Sequence, residues 1–196
     1  MSRRVRTAVL ISGAGTNMQA LVRAAEAESY PAKVVLVVSN RPDAKGLERA
    51  REMGVEAVAV DHKAFPDRET FERELNAKLE AAGVKLVALA GFMRVLTPWF
   101  VRRWAGRLVN IHPSLLPKHK GLHTHRRALE AGDLQHGVSV HWVTEELDAG
   151  DVIAQSGFDV PAGADEAHMA ERVRKLEHVL YPEALAVAAR KVADSD

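Results

Sequence analysis

Short apolar runs, recurring with helix-length polar and mixed segments between them, constrain this chain more than any other feature. Val5 to Ser12, Lys33 to Ser39 and Val84 to Ala90 are mostly apolar, each with an unbroken apolar run of at least four residues. A strand that shows neither face to water reads in this way, whereas a half-exposed one alternates. Between the runs lie helical patterns. One extends from about Asn17 to Ala27, with Met18, Leu21, Val22 and Ala25 on one face. Another covers Lys45 to Met53 and stops at Gly54, before a short third strand at Glu56 to Val60. Asp67 can cap a third helix that reaches about Ala82 and ends at Gly83. This order predicts a mostly parallel α/β sheet with helices on both faces. The second half is less regular. It predicts a short helix at Pro98 to Trp104, a fifth strand at Arg107 to Ile111, a helix near Thr124 to Ala131, and strands at Gly137 to Thr144 and Val152 to Val160. A long helix after Asp165 carries the stripe Met169, Val173, Leu176 and Leu180. Pro182 should interrupt it, leaving a final turn or two. The whole, residues 1–196, reads as one domain with about seven strands.

Composition excludes several function classes. The net charge of +1 gives no bulk electrostatic reason to expect nucleic acid or a membrane surface as partner. There is no cysteine, hence no disulfide framework, thiol nucleophile or thiolate metal site. Met1-Ser2-Arg3-Arg4 leads almost at once into the first strand, which is too short and wrongly flanked for a signal peptide or membrane span. A cytoplasmic protein acting on small molecules is the resulting expectation. Nine histidines raise the question of a metal. His123 and His125 are close in sequence to His119, yet no further ligand stands at a recognised spacing, so no metal is expected.

Two stretches carry chemistry. In Asn110-Ile111-His112-Pro113-Ser114-Leu115-Leu116-Pro117 the period of a strand puts Asn110 and His112 on one side and Ile111 on the other. Pro113 holds His112 extended at the strand's end. An amide donor beside an imidazole can steady a developing oxyanion and move protons near neutral pH. Ser12-Gly13-Ala14-Gly15-Thr16-Asn17 joins a strand to a helix, where backbone N–H groups attract anions. It can be a phosphate cradle or a plain turn. It is not a dinucleotide fingerprint: Met18 stands where a third glycine is needed, and Ser39 and Asn40 replace the acid expected after the second strand. Nor does a Gly-Lys-Ser/Thr follow.

Taken with Leu89-Ala90-Gly91-Phe92-Met93-Arg94-Val95-Leu96, Gly121-Leu122-His123-Thr124-His125, Ser139-Val140-His141, Leu147-Asp148-Ala149-Gly150 and Glu177-His178-Val179-Leu180-Tyr181-Pro182, these stretches resemble the phosphoribosylglycinamide formyltransferase family. The Asn110-to-Pro117 block is shared by the wider folate-dependent superfamily. The glycine turn, the Gly121-to-His125 run and the Glu177 segment narrow the acceptor. The resemblance implies a single-domain Rossmann-like formyltransferase fold, with phosphate-binding βα units over about residues 1–105 and a catalytic, folate-binding part over about 106–196. It implies transfer of a formyl group from 10-formyltetrahydrofolate, a co-substrate, to glycinamide ribonucleotide in purine biosynthesis, with no tightly bound cofactor or metal.

By the same resemblance Asn110, His112 and Asp148 are the catalytic residues. Gly15, Thr16 and Asn17 cradle the phosphate, with Thr16 where the family often has Ser, and Glu177 meets the ribose. Met93, Arg94, Val95 and Leu96, with Asn110, meet the folate, Arg68 reaches its glutamate tail, and His123 and His141 line the site. A cis Leu116–Pro117 bond is also implied. Taken alone, Asp148 could be only turn chemistry, and Glu177 and Arg68 only solvated helix residues. A carboxylate beside His112 should favour its charged form, and the loop Leu147 to Gly150 is the expected mobile segment. A monomer or weak homodimer is expected. Three alternatives stand beside this reading. A formyltetrahydrofolate hydrolase would add an N-terminal regulatory domain, and an initiator-tRNA formyltransferase a basic C-terminal one, neither of which this sequence contains. A non-catalytic nucleotide-binding module or dehydrogenase would need the missing glycine and acid.

Overall fold

The computed structural model describes residues 4–195; Met1 to Arg3, read above as a lead into the first strand, and Asp196 lie outside the described residues. The strands are β1 (Val5–Ile11), β2 (Ala32–Ser39), β3 (Ala57–Ala59), β4 (Leu86–Leu89), β5 (Leu108–His112), β6 (Gln135–Trp142) and β7 (Val152–Asp159). The helices are α1 (Thr16–Ala24), α2 (Lys45–Glu52), α3 (Arg68–Ala81), α4 (Pro98–Arg103), α5 (Thr124–Glu130) and α6 (Glu166–Ala193). All seven strands form one sheet in the order β3-β2-β1-β4-β5-β6-β7. Pairing is parallel from β3 through β5 and antiparallel from β5 to β6 and β6 to β7. The order reverses direction between β1 and β4, and open α/β sheets bind ligands at the carboxyl ends of strands beside such a point.

Alternation along the strands divides the core. Val9 and Ile11 of β1, Val109 and Ile111 of β5, and Leu21, Tyr181 and Leu185 of α1 and α6 bury together on one face. Ala8, Leu10, Val87 and Leu108 pack on the other, against Phe71, Leu75 and Leu79 of α3 and Phe100 of α4. With Ile111 committed to the α6 side, Asn110 and His112 must point to the α3 side at the open end of β5.

Several elements differ from the sequence reading, most of them by one to three residues at an end. Pro182 does not interrupt α6, which runs unbroken from Glu166 to Ala193. Proline forfeits one backbone donor, but Ala184, Leu185, Ala188, Ala189 and Val192 beyond it are all buried, and the Tyr30 hydroxyl donates to the Pro182 carbonyl at 2.6 Å. Burial of that face outweighs the local defect. The strand expected from Gly137 to Thr144 begins earlier, at Gln135, and ends at Trp142, because His136 is buried against His125 and Phe158. A single 3-10 turn at His62–Ala64, capped by the Asp61 side chain, was not expected. No described helix is long and apolar enough to cross a membrane.

Candidate active site

The antiparallel partner of β5 supplies what Asn110 and His112 lack. β6 sets His141 opposite Asn110 and Ser139 opposite His112. The Ser139 hydroxyl donates to the Ser114 carbonyl at 2.7 Å and accepts from the Leu116 N–H at 3.0 Å, and the Gln155 amide donates to the Leu116 carbonyl at 2.7 Å. These bonds hold the turn after His112, in which the Leu116–Pro117 bond is cis, as the resemblance implied.

Hydrogen bonds then fix which nitrogen does what. His141 is buried, and burial pushes its pKa below the ordinary value. Its Nδ1 lies 3.0 Å from the Trp142 carbonyl, which can only accept, so Nδ1 carries the proton. The bare Nε2 faces the Asn110 amide nitrogen at 3.4 Å. The orientation of the Asn110 amide is thereby fixed, with its nitrogen toward His141 and a second N–H to spare. His112 donates from Nε2 to the His119 carbonyl at 2.9 Å. Its Nδ1 faces Asp148 Oδ2 at 3.4 Å, and both side chains are only 7% exposed. Asp148 Oδ2 also accepts the Gly121 N–H at 2.9 Å, while Oδ1 lies 3.6 Å from His141, beyond a hydrogen bond.

Asp148 reaches this position from a loop with left-handed backbone at φ 50°. Gly150 lets the loop lie against β6, since a Cβ there would stand 1.7 Å from the Trp142 carbonyl oxygen. Half-buried Asn110 and buried His112, both on β5, therefore meet Asp148 from the later loop in one cluster, with His141 of β6 beside them.

The flanks carry the other candidates. Gly15 begins α1 in the left-handed region (φ 73°), and an added Cβ would meet Gly46 Cα of α2 at 3.0 Å. The N–H groups of Thr16 and Asn17 stand at that helix start. Asn17 donates to Glu177 at 3.1 Å, and burial pushes the Glu177 carboxyl pKa up against the opposing effects of Asn17 and Arg174. On the other side of the glycine turn, the Met93 N–H donates to the Ser12 hydroxyl at 2.8 Å. Thr97, which closes the Met93-to-Leu96 segment, donates its N–H to Glu72 of α3 at 2.8 Å. Met93 and Val95 are exposed, while Leu96 packs on the α3 core. A cavity of about 400 Å³ here is lined by Ser12, Gly13, Gly91, Met93 and Arg94 among others. Arg94 Nε and Asn17 Oδ1 are buried without a protein partner, one on each flank. Such atoms call for a partner that the fold does not supply.

Arg68 is exposed at the first position of α3, near enough to act on the Glu72 carboxyl. His123 is exposed at the start of α5. His119, His123 and His125 do not converge: His119 pairs with Asp133 at 2.6 Å and His125 with His136 at 2.9 Å. Among the described residues no group of three or more His, Asp or Glu is placed to hold a metal ion.

The formyl transferase family matches residues 5–185. Phosphoribosylglycinamide formyltransferase of Escherichia coli is 51% identical over 174 residues, covering 89% of this chain and 82% of that protein. The chain belongs to the phosphoribosylglycinamide formyltransferase family. The crystal structure of the Brucella melitensis phosphoribosylglycinamide formyltransferase superposes with a TM-score of 0.91 at 43% identity, covering 95% of this chain and 96% of that one. The Drosophila melanogaster trifunctional purine biosynthetic protein adenosine-3 is 50% identical over 187 residues. That match takes in 94% of this chain but only 14% of the longer protein.

Within the phosphoribosylglycinamide formyltransferase fold, several residues around the site had no role in the sequence reading, Ser139 being named there only as part of a motif. Ser139 and Gln155 brace the turn after His112, and Arg174 acts on Glu177 from one turn earlier in α6. Strand alternation could have found Ser139, which shares a face of β6 with His141. Nothing local marks Asp133 or the His119 carbonyl, whose roles exist only once α5 and the loop before it are folded together.

Proposed function

We propose that the chain transfers the formyl group of 10-formyltetrahydrofolate to the primary amine of glycinamide ribonucleotide. The observation that carries this reading is the convergence of the Asn110 amide, His112 Nδ1 and the Asp148 carboxylate between two flanks. One flank, Met93 to Leu96, suits a pterin edge; the other, Gly15 to Asn17 with Glu177, suits a ribose phosphate. The family membership of both bacterial relatives supports the same assignment.

The steps follow from the protonation pattern. The amine nitrogen attacks the formyl carbon, and the carbonyl oxygen gains the electron pair. Asn110 donates its free N–H to that oxygen. Protonated His112 keeps Nε2–H on the His119 carbonyl and presents Nδ1–H to the tetrahedral centre. When the bond between carbon and the folate nitrogen breaks, Nδ1 gives its proton to that nitrogen. The amine's proton leaves towards Asp148, and return across the 3.4 Å gap to Nδ1 resets the pair. Arg94 and exposed Arg68 suit the carboxylates of the folate tail. His123, at the rim, and His141, beneath Asn110, complete the lining. We read the chain as one formyltransferase domain acting on small molecules in the cytoplasm, as a monomer or weak homodimer.

The test is to incubate the protein with 10-formyltetrahydrofolate, with and without glycinamide ribonucleotide. Tetrahydrofolate should form only when both are present. Folate product without acceptor would assign a hydrolase instead, and no product in either case would leave a binding role.

A further inference from the structure

Two half-buried polar side chains near the site have no part in the chemistry above. His119 and Asp133 are only 13% and 11% exposed, and His119 Nε2 lies 2.6 Å from Asp133 Oδ2. Asp133 is anchored at the end of α5, where its N–H donates to the Ala128 carbonyl at 3.0 Å. Its second oxygen meets Lys118 Nζ at 3.0 Å, and these two partners hold its carboxyl below the usual carboxylate range. A carboxylate accepts only, so His119 Nε2 is protonated.

The backbone of His119 gives the contact its meaning. Its φ is 54°, a left-handed conformation that is unfavourable for a residue with a Cβ. In that conformation the carbonyl turns inward and accepts the His112 Nε2 proton. The neighbouring carbonyls are held otherwise. Lys118 O accepts from the Ser114 hydroxyl at 2.6 Å, and Lys120 O accepts from Arg127 at 2.5 Å. Among the described residues the His119 side chain hydrogen-bonds to Asp133 alone. The titratable and charged groups around it are Lys118, Asp133, His112 and His136, the last near enough to feel its charge.

We propose that His119 and Asp133 are positioning residues for His112. Their contact holds the His119 carbonyl where it takes the Nε2 proton, and so decides that Nδ1 is the nitrogen facing Asp148 and the formyl group. Without it the loop relaxes towards ordinary backbone angles, the carbonyl swings away, and the two tautomers of His112 mix. The kinetic part of this inference rests on the formyl-transfer reading of His112; the tautomer part does not.

The experiment uses the full chain with ¹⁵N-labelled histidine, followed with rising pH until the His112 signals stop moving. Wild type should show His112 as the Nε2–H tautomer. Asp133→Ala should give a tautomer mixture and lower kcat roughly 10- to 100-fold, with KM for both substrates little changed. Asp133→Asn keeps an oxygen acceptor for His119 and should restore most of the tautomer and the rate. Lys118→Ala removes the other ion pair of Asp133 and should alter neither. The proposal fails if Asp133→Ala leaves the Nε2–H signature intact, or if its loss of rate merely follows a lower melting temperature and Asp133→Asn rescues nothing. If wild type transfers no formyl group, the functional reading has failed, and the tautomer measurement still decides whether Asp133 acts on His112.

Discussion

In the proposed reaction Asn110 depends on a neighbour, His141, that has no role at the formyl group itself. His141, kept neutral by burial and committed through Nδ1 to its own strand, offers a lone pair that orients the Asn110 amide. Asn110→Ala should lower kcat by ~10²–10³, the usual loss for one oxyanion donor. His112→Ala removes the acid and should cost ~10²–10⁴. Steady-state kinetics beside an unchanged circular dichroism spectrum check both. A second residue-scale prediction concerns stability. His136 is buried against His125 and Phe158, and its pKa falls from the ordinary 6.5 to about 4. The unfolded chain therefore takes up this proton before the folded one does. The stabilisation is complete above pH 6.5 and is lost as pH falls through about 4. Urea midpoints measured between these limits should fall more steeply for wild type than for His136→Gln.

At the scale of elements, the site depends on how closely a loop can lie on a strand. The Leu147-to-Gly150 loop carries Asp148 to His112 only because Gly150 has no side chain to strike the Trp142 carbonyl. Gly150→Ala must lift the loop and with it the carboxylate. A displacement of about 1 Å in a reacting group can cost ~10² in rate. We expect a kcat loss of that order with both KM values nearly unchanged, since neither flank moves. α6 shows the opposite balance. Its local rule is broken at Pro182, yet Tyr181 is fully buried and its hydroxyl donates to the Leu89 carbonyl at 2.7 Å, which fixes the helix across the ends of the strands.

Across the whole molecule, the proposed assignment puts the two substrates on different sides of the sheet. The groups suited to the ribonucleotide belong to the α1 and α6 face, and those suited to folate to the loop tied to α3. Glu177→Ala should therefore raise KM for glycinamide ribonucleotide by roughly 10- to 100-fold, the loss of hydrogen bonds to a charged group, and leave KM for the folate nearly unchanged. Arg94→Ala should do the reverse; a shared effect on both KM values would deny the separation. The amino-acid sequence determined the strands, most of the helices and the pairing of Asn110 with His112 on one face. Those properties follow from periodicity within one segment, which needs no partner to be read. Pro182 misled it because burial of a distant face, not local propensity, keeps α6 whole. Asp148 was singled out through family motifs, since a turn in Asp-Ala-Gly looks the same whether or not its carboxylate meets an imidazole. Only the tertiary structure decided which nitrogen of each histidine bears a proton, which way the Asn110 amide points, and that His119 and Asp133 brace His112. Each of these is set by a hydrogen-bond partner that folding brings into place, from the adjacent Trp142 carbonyl for His141 to His141 itself for Asn110, and direction and protonation do not exist until that partner is there.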